Sequence, residues 1–365
     1  MSVSYGGDKI TFDDGTSIAS GLSHFRNRII NGAMEIDQRN AGASVTPADG
    51  AYTLDRWNYN ATQASKMSVQ RSTTAPVGFS NSMLITTTTA VSVGSGDTFS
   101  TIQSIEGFNF ADCAWGTANA KTITLSFWVR SSLTGTFGGA LLNSAQNRSY
   151  PFTYTISSAN TFEYKTVTIA GDTTGTWIGA TNGIGVRVCF DLGAGSTYAG
   201  TAGAWTGSAK YAATGSVSVI GTLNATWYIT GVQLEVGSYA TTFERRPYTT
   251  ELQLCQRYFF QSTNYGKAMS YTEAHALVYG AQTGTFNWMW AKAYFPVEMR
   301  SAPTVTTSDA AGTTGKLTIF TSSGGGTTNN ITPYSVYTDK HSYSVSVYNE
   351  SKYGIFAAIK AEIGY

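Results

Sequence analysis

Apolar and polar residues alternate along much of this chain with a period of two, which is the pattern of β-strands that bury one face. The clearest example is TITLSFWVR at 122–130, where the apolar positions Ile123, Leu125, Phe127 and Val129 alternate with Thr122, Thr124, Ser126 and Trp128. The stretches at 162–169, 185–192 and 226–235 repeat the alternation, with glycine-rich turns between them. Residues 26–247 are therefore predicted to form an all-β sandwich.

One helix interrupts the strand pattern. After Pro247 an approximate 3.6-residue stripe of Leu252, Leu254, Cys255 and Tyr258 predicts a helix from about 250 to 260, which we place in a connector of residues 248–262. Strand patterns then return in four stretches, at 285–295, 316–320, 342–348 and 354–363. Residues 263–365 are therefore predicted to form a smaller C-terminal β domain.

The first 25 residues carry one short hairpin pattern. Ile10 and Phe12 alternate with polar residues, and Asp14-Gly15 is a two-residue turn signal. A hairpin of this size is too small to bury a core by itself. We therefore expect residues 1–25 to attach to another protein or to copies of themselves, through Ile10, Phe12, Asp14 and Gly15.

The stretch at 285–295 is apolar on both faces of the predicted strand. One face has Phe286, Trp288, Trp290 and Tyr294, and the other has Met289, Ala291, Ala293 and Phe295. We expect one face to pack in the domain core. The other face is expected either to pack against a neighbouring subunit or to be exposed as a platform for a sugar.

A second aromatic group lies around turns near the end of the chain. Its members are Tyr334, Tyr337, Asp339, His341 and Tyr343. They are interpreted either as half-buried residues of strand edges or as a sugar-binding group. The nearby segment 322–330 has three consecutive glycines and many polar groups, and it predicts a long loop suited to a distal tip.

Composition agrees with a strand-rich chain and excludes several functions. The 365 residues include 22 Tyr, 18 Phe, 8 Trp and 39 Gly, which suit pleated sheets and tight turns. Charged residues are 12% of the chain, against about 25% in an average protein, and the formal net charge is +1. We expect neither a nucleic-acid-binding surface nor an anionic-membrane-binding one. The apolar runs are shorter than the roughly 20 residues that span a bilayer, so membrane insertion is not expected.

Residues suited to metal or catalytic chemistry are sparse. The three histidines, His24, His275 and His341, lie in different segments, and no zinc-binding or phosphate-binding motif is present. The three cysteines, Cys113, Cys189 and Cys255, are odd in number and far apart in sequence. We predict that they are buried free thiols. No metal and no cofactor is expected.

Paired carboxylates are the one catalytic option that the sequence leaves open, because glycan cleavage uses two acids about 5 to 9.5 Å apart. The acids that could be neighbours in the sandwich are Asp55, Asp191, Glu235 and Glu244. We expect Asp55 and Glu235 to be structural, bound to the backbone or to Arg56. A calcium site and a catalytic pair are the alternatives.

Several phrases of the sequence occur together in a fixed order. They are NRIINGAMEIDQRN at 27–40, YTLDRW at 52–57, KTITLSFWVRSS at 121–132, TVTIAGDTTGTW at 166–177, ITGVQLEVGSYATTFERRPYTTELQLCQRYF at 229–259 and FPVEMRSAPTV at 295–305. With the leader KITFDDGTSIASG, they resemble bacteriophage tail fibres and head fibres that have a carbohydrate-binding-like jelly-roll domain. The resemblance implies a homotrimeric virion appendage that binds host-surface glycan and is attached to the particle by its N-terminal end.

Together these observations predict an all-β virion fibre that is not an enzyme. The jelly-roll-type sandwich is its rigid body, and the predicted glycan-binding residues are Tyr334, Tyr337, Asp339, His341, Tyr343, Trp288 and Trp290. The expected partners are further copies of the chain in a homotrimer, tail, baseplate or capsid proteins, and host polysaccharide. The expected location is the virion, after synthesis in a bacterial cytoplasm. A capsid head fibre or decoration protein and a polysaccharide depolymerase are the alternatives.

Overall fold

The computed structural model describes the backbone of three strands near the N-terminus, and then residues 26–266, 288–320, 327–348 and 354–363. The three strands are β1 (Val3–Gly6), β2 (Lys9–Phe12) and β3 (Ser17–Ala19). They form an antiparallel meander in which Ile10 lies opposite Ile18. The predicted hairpin is therefore present, with a third strand before it. Asp14, Gly15 and the side chains of Ile10 and Phe12 lie outside the described residues.

Ten further strands form a sandwich of two antiparallel sheets. They are β4 (Asn58–Ala61), β5 (Met67–Ser72), β6 (Ser82–Thr87), β7 (Thr98–Glu106), β8 (Ile123–Ser131), β9 (Gly135–Leu142), β10 (Ser149–Ile156), β11 (Glu163–Ile169), β12 (Ile184–Ala194) and β15 (Thr226–Val236). Sheet I has the order β10-β9-β12-β7-β4, and sheet II has the order β11-β8-β15-β6-β5. A short parallel pair, β13 (Ala199–Gly200) and β14 (Ala212–Ala213), lies between β12 and β15 in the chain. The predicted all-β, jelly-roll-type sandwich is confirmed.

The sandwich core consists of the apolar positions of the alternating strands. Phe127 of β8 is fully buried, and the centre of its ring lies 5.0 Å from the rings of both Phe190 and Tyr154, which belong to sheet I. Trp57 and Trp227 are fully buried in the same core. Complete burial of one Phe or Leu side chain contributes roughly 1.5–3 kcal/mol. The alternation therefore determines which face of each strand lies inside.

The predicted helix is present as α1 (Tyr248–Gln256), which begins directly after Pro247. It ends earlier than predicted, because the chain turns at Arg257 and enters β16 (Phe259–Gln261). This strand pairs with β24 (Ala358–Glu362) of the C-terminal domain. Bulky aromatic residues such as Phe259 pack well on a pleated sheet. The predicted connector 248–262 thus includes a strand of the next domain. Among the described residues, no helix has the length and apolar character needed to cross a membrane.

The C-terminal domain contains three sheets of three strands each within the described residues. Its other strands are β17 (Trp288–Tyr294), β18 (Thr304–Ser308), β19 (Leu317–Phe320), β20 (Thr327–Ile331), β21 (Ser335–Thr338), β22 (Ser342–Tyr348) and β23 (Gly354–Phe356). The sheet orders are β16-β24-β18, β17-β22-β21 and β20-β19-β23. A core distinct from that of the sandwich includes Met289, Leu317, Val345 and Ile359.

Two expectations for this domain need correction. The loop predicted at 322–330 is partly a strand, because Thr327–Ile331 pairs with β19, and its three glycines lie outside the described residues. The strand predicted at 354–363 is divided at Ala357 into β23 and β24, which pair with different sheets. Ala357 is itself fully buried, so the apolar pattern continues through the break.

Charged side chains connect the sandwich to the C-terminal domain. Arg257 donates from Nε and Nη2 to the carboxylate of Glu106 on β7, at 2.9 and 3.0 Å, and the Tyr258 hydroxyl donates to the same carboxylate. Arg39 donates from Nη2 to Glu362 of β24 at 2.9 Å. Since Glu106 is buried, the junction includes a buried, bidentate ion pair, which is costly to break by removing one partner.

Candidate functional site

The sheet β17-β22-β21 has one face in the C-terminal core and one face toward solvent. Met289 and Val345 lie in the core, which confirms that one side of the predicted aromatic strand is buried. The opposite side has large aromatic residues on all three strands. Their exposed fractions are 51% for Trp290, 71% for Tyr294, 62% for Tyr337 and 61% for Tyr348.

The strand register places polar groups between these rings. Trp290 lies opposite Ser346 on β22, and Lys292 lies opposite Ser344, which in turn lies opposite Tyr337 on β21. Neighbouring strands are about 4.8 Å apart, and residues on one face of a strand repeat about every 7 Å. An extended ligand lying across this sheet can therefore contact more than one ring. We call this surface the C-terminal aromatic face, which consists of Trp290, Lys292, Tyr294, Tyr337, Ser344 and Tyr348.

The other predicted glycan-binding residues of this domain have different positions. Trp288 lies opposite Tyr348 in the register, and its side chain is outside the described residues. Tyr334 and His341 are exposed beside the sheet. The Asp339 carboxylate accepts bonds from the backbone N–H groups of His341 and Ser342, both at 2.7 Å, and these bonds lower the pKa of Asp339. Asp339 therefore stabilises a turn.

Tyr343 is wrong as a predicted glycan-binding residue. It is 1% exposed, and its ring centre lies 5.7 Å from that of Phe295 inside the C-terminal core. Burial also raises the pKa of its hydroxyl. Tyr343 is on β22, one position from Ser342 and Ser344, so its side chain points to the opposite side of the sheet from theirs. A ligand on the solvent side cannot reach it.

A second aromatic group, half-buried except for the exposed Tyr164, lies on the outer face of sheet II and was missed by the sequence analysis. Trp128 of β8 lies opposite Tyr164 of β11, and their ring centres are 5.4 Å apart. In the next row, the Arg130 guanidinium lies 4.9 Å from the centre of the Tyr228 ring. The available signal was Trp128 itself, because it stands among Thr124 and Ser126 on the polar side of a strand whose other side is the core.

Gly231 allows an aromatic ring to approach this outer face closely. Its φ angle is +61°, and the strand β15 has a bulge between Thr230 and Gln233. A Cβ atom at this position would lie 2.7 Å from the Phe79 ring and 3.2 Å from Trp128 Cδ1. The rings here are more covered than those of the C-terminal aromatic face, because they pack on one another and on Arg130.

The carboxylates considered for catalysis have structural partners. Asp55 accepts bonds from the backbone N–H and from Nε2 of Gln38, both at 2.7 Å. The backbone bond is one of the two expected alternatives, and Arg56, the other expected partner, donates to the Ser104 carbonyl. Gln233 joins two of the acids, since its Nε2 donates to Glu235 at 2.8 Å and its Oε1 accepts from the Glu244 N–H at 2.7 Å. No group of three metal-binding side chains occurs in the part of the chain that the structure describes.

The three cysteines are free and buried, as predicted. Burial raises the pKa of the Cys113 thiol to about 12 and also raises those of Cys189 and Cys255. A thiol with a raised pKa is a weak nucleophile at neutral pH. These residues therefore serve packing.

No protein-family model matches the sequence, and no curated protein matches it. Among solved structures, the enzymatically active domain of tailspike protein 4 of bacteriophage CBA120 is 15% identical with a TM-score of 0.34, and the match covers 59% of this chain and 22% of that one. A family 11 carbohydrate-binding module from Clostridium thermocellum, solved with a β-1,3-1,4-mixed-linked tetrasaccharide, is 12% identical with a TM-score of 0.27, covering 55% and 100%. A family 4 carbohydrate-binding module is 15% identical with a TM-score of 0.28, covering 57% and 98%.

Proposed function

We propose that this chain is a virion fibre protein that binds host-surface glycan through the C-terminal aromatic face. The observation that carries the proposal is the exposure of Trp290, Tyr294, Tyr337 and Tyr348, each more than half exposed, on one side of one sheet. Large contiguous apolar patches on a soluble protein indicate a binding surface. Aromatic rings with hydroxyl and amine groups between them suit a ligand that has both apolar and hydroxyl-bearing sides.

Multivalency is part of the proposal. A shallow face of a few rings gives weak binding at one site. Three linked sites raise the overall avidity by up to about 10²–10⁴ without any new contact. The sequence resemblance to phage fibres and the small N-terminal meander, which is too short to bury a core alone, support a homotrimer attached to the particle by residues 1–25.

The proposed mechanism is binding without cleavage. Asp55, Glu235 and Glu244 accept hydrogen bonds from neighbouring residues that hold them in the sandwich. They also lie far in sequence from the C-terminal aromatic face. Incubating the purified protein with host polysaccharide and following new reducing ends tests this point. An increase in reducing ends above a heat-treated control would favour the depolymerase alternative.

Binding to host cells tests the main proposal. Trp290→Ala and Tyr294→Ala are expected to weaken adsorption of the purified protein to host cells by about fivefold or more each, because each removes a stacking surface worth about 1 kcal/mol or more. Their melting temperatures should stay near that of the parent protein, since both side chains are exposed. Tyr239→Ala is the matched control, because Tyr239 is also exposed but lies on the sandwich, after β15. Adsorption of all three variants equal to that of the parent protein would exclude the C-terminal aromatic face.

Tail and head locations remain alternatives within this proposal, because a capsid head fibre or decoration protein of the same fold would use the same binding face. Labelling particles with an antibody against residues 26–247 distinguishes them by electron microscopy. Label at the tail is the expected result.

A further inference from the structure

Arg187 lies on β12 in the middle of sheet I, on the face that points away from the sandwich core. Its cross-strand neighbours are Ser104 on β7 and Leu142 on β9. The side chain is half-buried. Within the described part of the chain, Arg187 has no ion-pair partner, and its Nε atom is buried without a hydrogen-bond partner.

Two half-buried arginines, Arg148 of the sandwich and Arg257 of the connector, have carboxylate partners. Arg148 donates from Nε and Nη2 to the two oxygens of Asp172, both at 2.7 Å, and Arg257 makes the same kind of bond to Glu106. A charge taken out of water is costly unless it is paired and hydrogen-bonded. Burial accordingly lowers the pKa of Arg187, whereas the bond to Asp172 raises that of Arg148. The Arg187 guanidinium therefore has no carboxylate partner within the described residues, and it can bind an anionic group from outside.

Two tyrosines on different chain segments lie near Arg187, and Tyr211 packs on the outer-face cluster that includes Leu142 and Cys189. Tyr211 and Tyr52 both act on the charge of Arg187, together with Cys189. The Tyr211 hydroxyl donates to Gln146, and its ring packs edge-on against Tyr198 with centres 5.5 Å apart. Both Tyr52 and Tyr211 are half-buried, so each keeps surface for a ligand.

Asp191 does not neutralise Arg187, although it is four residues further along β12. Its carboxylate accepts a bond from the Gly193 N–H at 2.9 Å, and four residues of extended strand separate the two Cα atoms by about 13 Å. Lys210 precedes Tyr211, and its ammonium donates to the Thr197 carbonyl at 2.7 Å. Because no carboxylate of the described residues pairs with Arg187, its guanidinium favours an anionic ligand.

We propose that Arg187, flanked by Tyr52 and Tyr211, binds an anionic substituent of a saccharide, a carboxylate or a phosphate, on the outer face of sheet I. A planar guanidinium makes two parallel hydrogen bonds to either group, and the phenol rings would contact the sugar that carries it. The inference rests on the proposed function in one respect, namely that the ligand is a saccharide. The site is separate from the C-terminal aromatic face, and it would give the fibre specificity for acidic glycans.

Calorimetric titration of the full chain tests the inference with three probes: trigalacturonic acid for a carboxylate, glucose 6-phosphate for a phosphate, and neutral galactotriose. We expect one or both acidic probes to bind, with affinity reduced about tenfold by Arg187→Gln and weakened by added salt. The probe that binds identifies the anionic group. Binding of neither acidic probe, or equal binding by parent and Arg187→Gln proteins, would overturn the inference.

Further variants separate a binding effect from a folding effect. Arg187→Lys keeps the charge but loses the two-pronged donor, and Tyr211→Leu keeps an apolar side chain but loses the aromatic ring that would contact the sugar. Both are expected to fold and to bind the acidic probe more weakly. Arg71→Gln, on sheet II, is the matched control and should bind as the parent protein does. The Trp290→Ala variant should still bind the acidic probe even if it no longer adsorbs to cells. Absence of probe binding would therefore count against the Arg187 site, whereas unchanged cell adsorption of Trp290→Ala would count against the proposed function.

Discussion

The carboxyl group of Asp191 is buried in sheet I, and burial raises its pKa to about 7. The hydrogen bond from the Gly193 N–H lowers the pKa, but by less than burial raises it. The folded protein therefore binds a proton at Asp191 that the unfolded chain releases near pH 4. Protonation of Asp191 therefore adds to the free energy of unfolding. This contribution is fully present below about pH 4 and is lost as the pH rises to about 7, at about 1.4 kcal/mol per pH unit.

Asp191→Asn should remove this dependence, because the amide stays neutral and its oxygen can still accept the Gly193 bond. Chemical denaturation of both proteins from pH 4 to pH 8 gives the difference between their free energies of unfolding. The contributions of the other carboxylates cancel in this difference, because both proteins contain them. The advantage of the variant should grow with pH. A constant difference across this range would show that Asp191 is charged in the folded protein.

Individual residues show how far the sequence determined the candidate site. Trp290 and Met289 were placed on opposite sides of one strand by alternation alone, and the structure agrees. Tyr343 was assigned to the binding group because it is close in sequence to Tyr337. Alternation within β22 would have placed it in the core with Val345. Arg187 could not have been found from the sequence, since a missing partner is a property of the folded chain.

At the scale of the strand, Gly231→Ala tests the packing of sheet II. Alanine at φ +61° is strained by about 1–2 kcal/mol, and its Cβ would also collide with the Phe79 ring. We expect a free energy of unfolding lower by about 2 kcal/mol or more in a denaturant titration. Gly207→Ala is the control, because no atom lies within 4 Å of a Cβ there. Equal stability of the two variants would show that β15 moves to accept the side chain.

The sequence pattern predicted the positions of strands better than it predicted where elements end or which strands pair. The pattern at 122–130 corresponds to β8 within one residue, because one face of that strand must enter the core. The helix end was misplaced, since Phe259 continues the apolar stripe of α1 but pairs with Glu362, more than 100 residues later in the chain. The sequence pattern near residue 260 contains no information about that distant strand.

At the scale of the whole molecule, the buried pair of Glu106 and Arg257 is expected to make the two domains unfold together. Glu106→Gln leaves Arg257 without its carboxylate, a change that costs about 3–5 kcal/mol for a buried pair. Differential scanning calorimetry should then show a separate, earlier transition for the C-terminal domain. Glu298→Gln is the control, because the pair of Glu298 with Lys340 is exposed and 3.7 Å long. A single unchanged transition in Glu106→Gln would mean that other contacts couple the domains.

The oligomeric state decides whether the C-terminal aromatic face is free to bind a glycan. Light scattering of the full chain is expected to give three times 38.9 kDa, and deletion of residues 1–25 is expected to give a folded monomer that no longer assembles onto virions. The reason is that the meander β1–β3 cannot bury a core unless copies meet. A monomeric full chain at micromolar concentration would contradict the trimer. If the truncated protein stayed trimeric and Trp290→Ala made it monomeric, the aromatic face would be the subunit interface, and the glycan would have to bind on the sandwich.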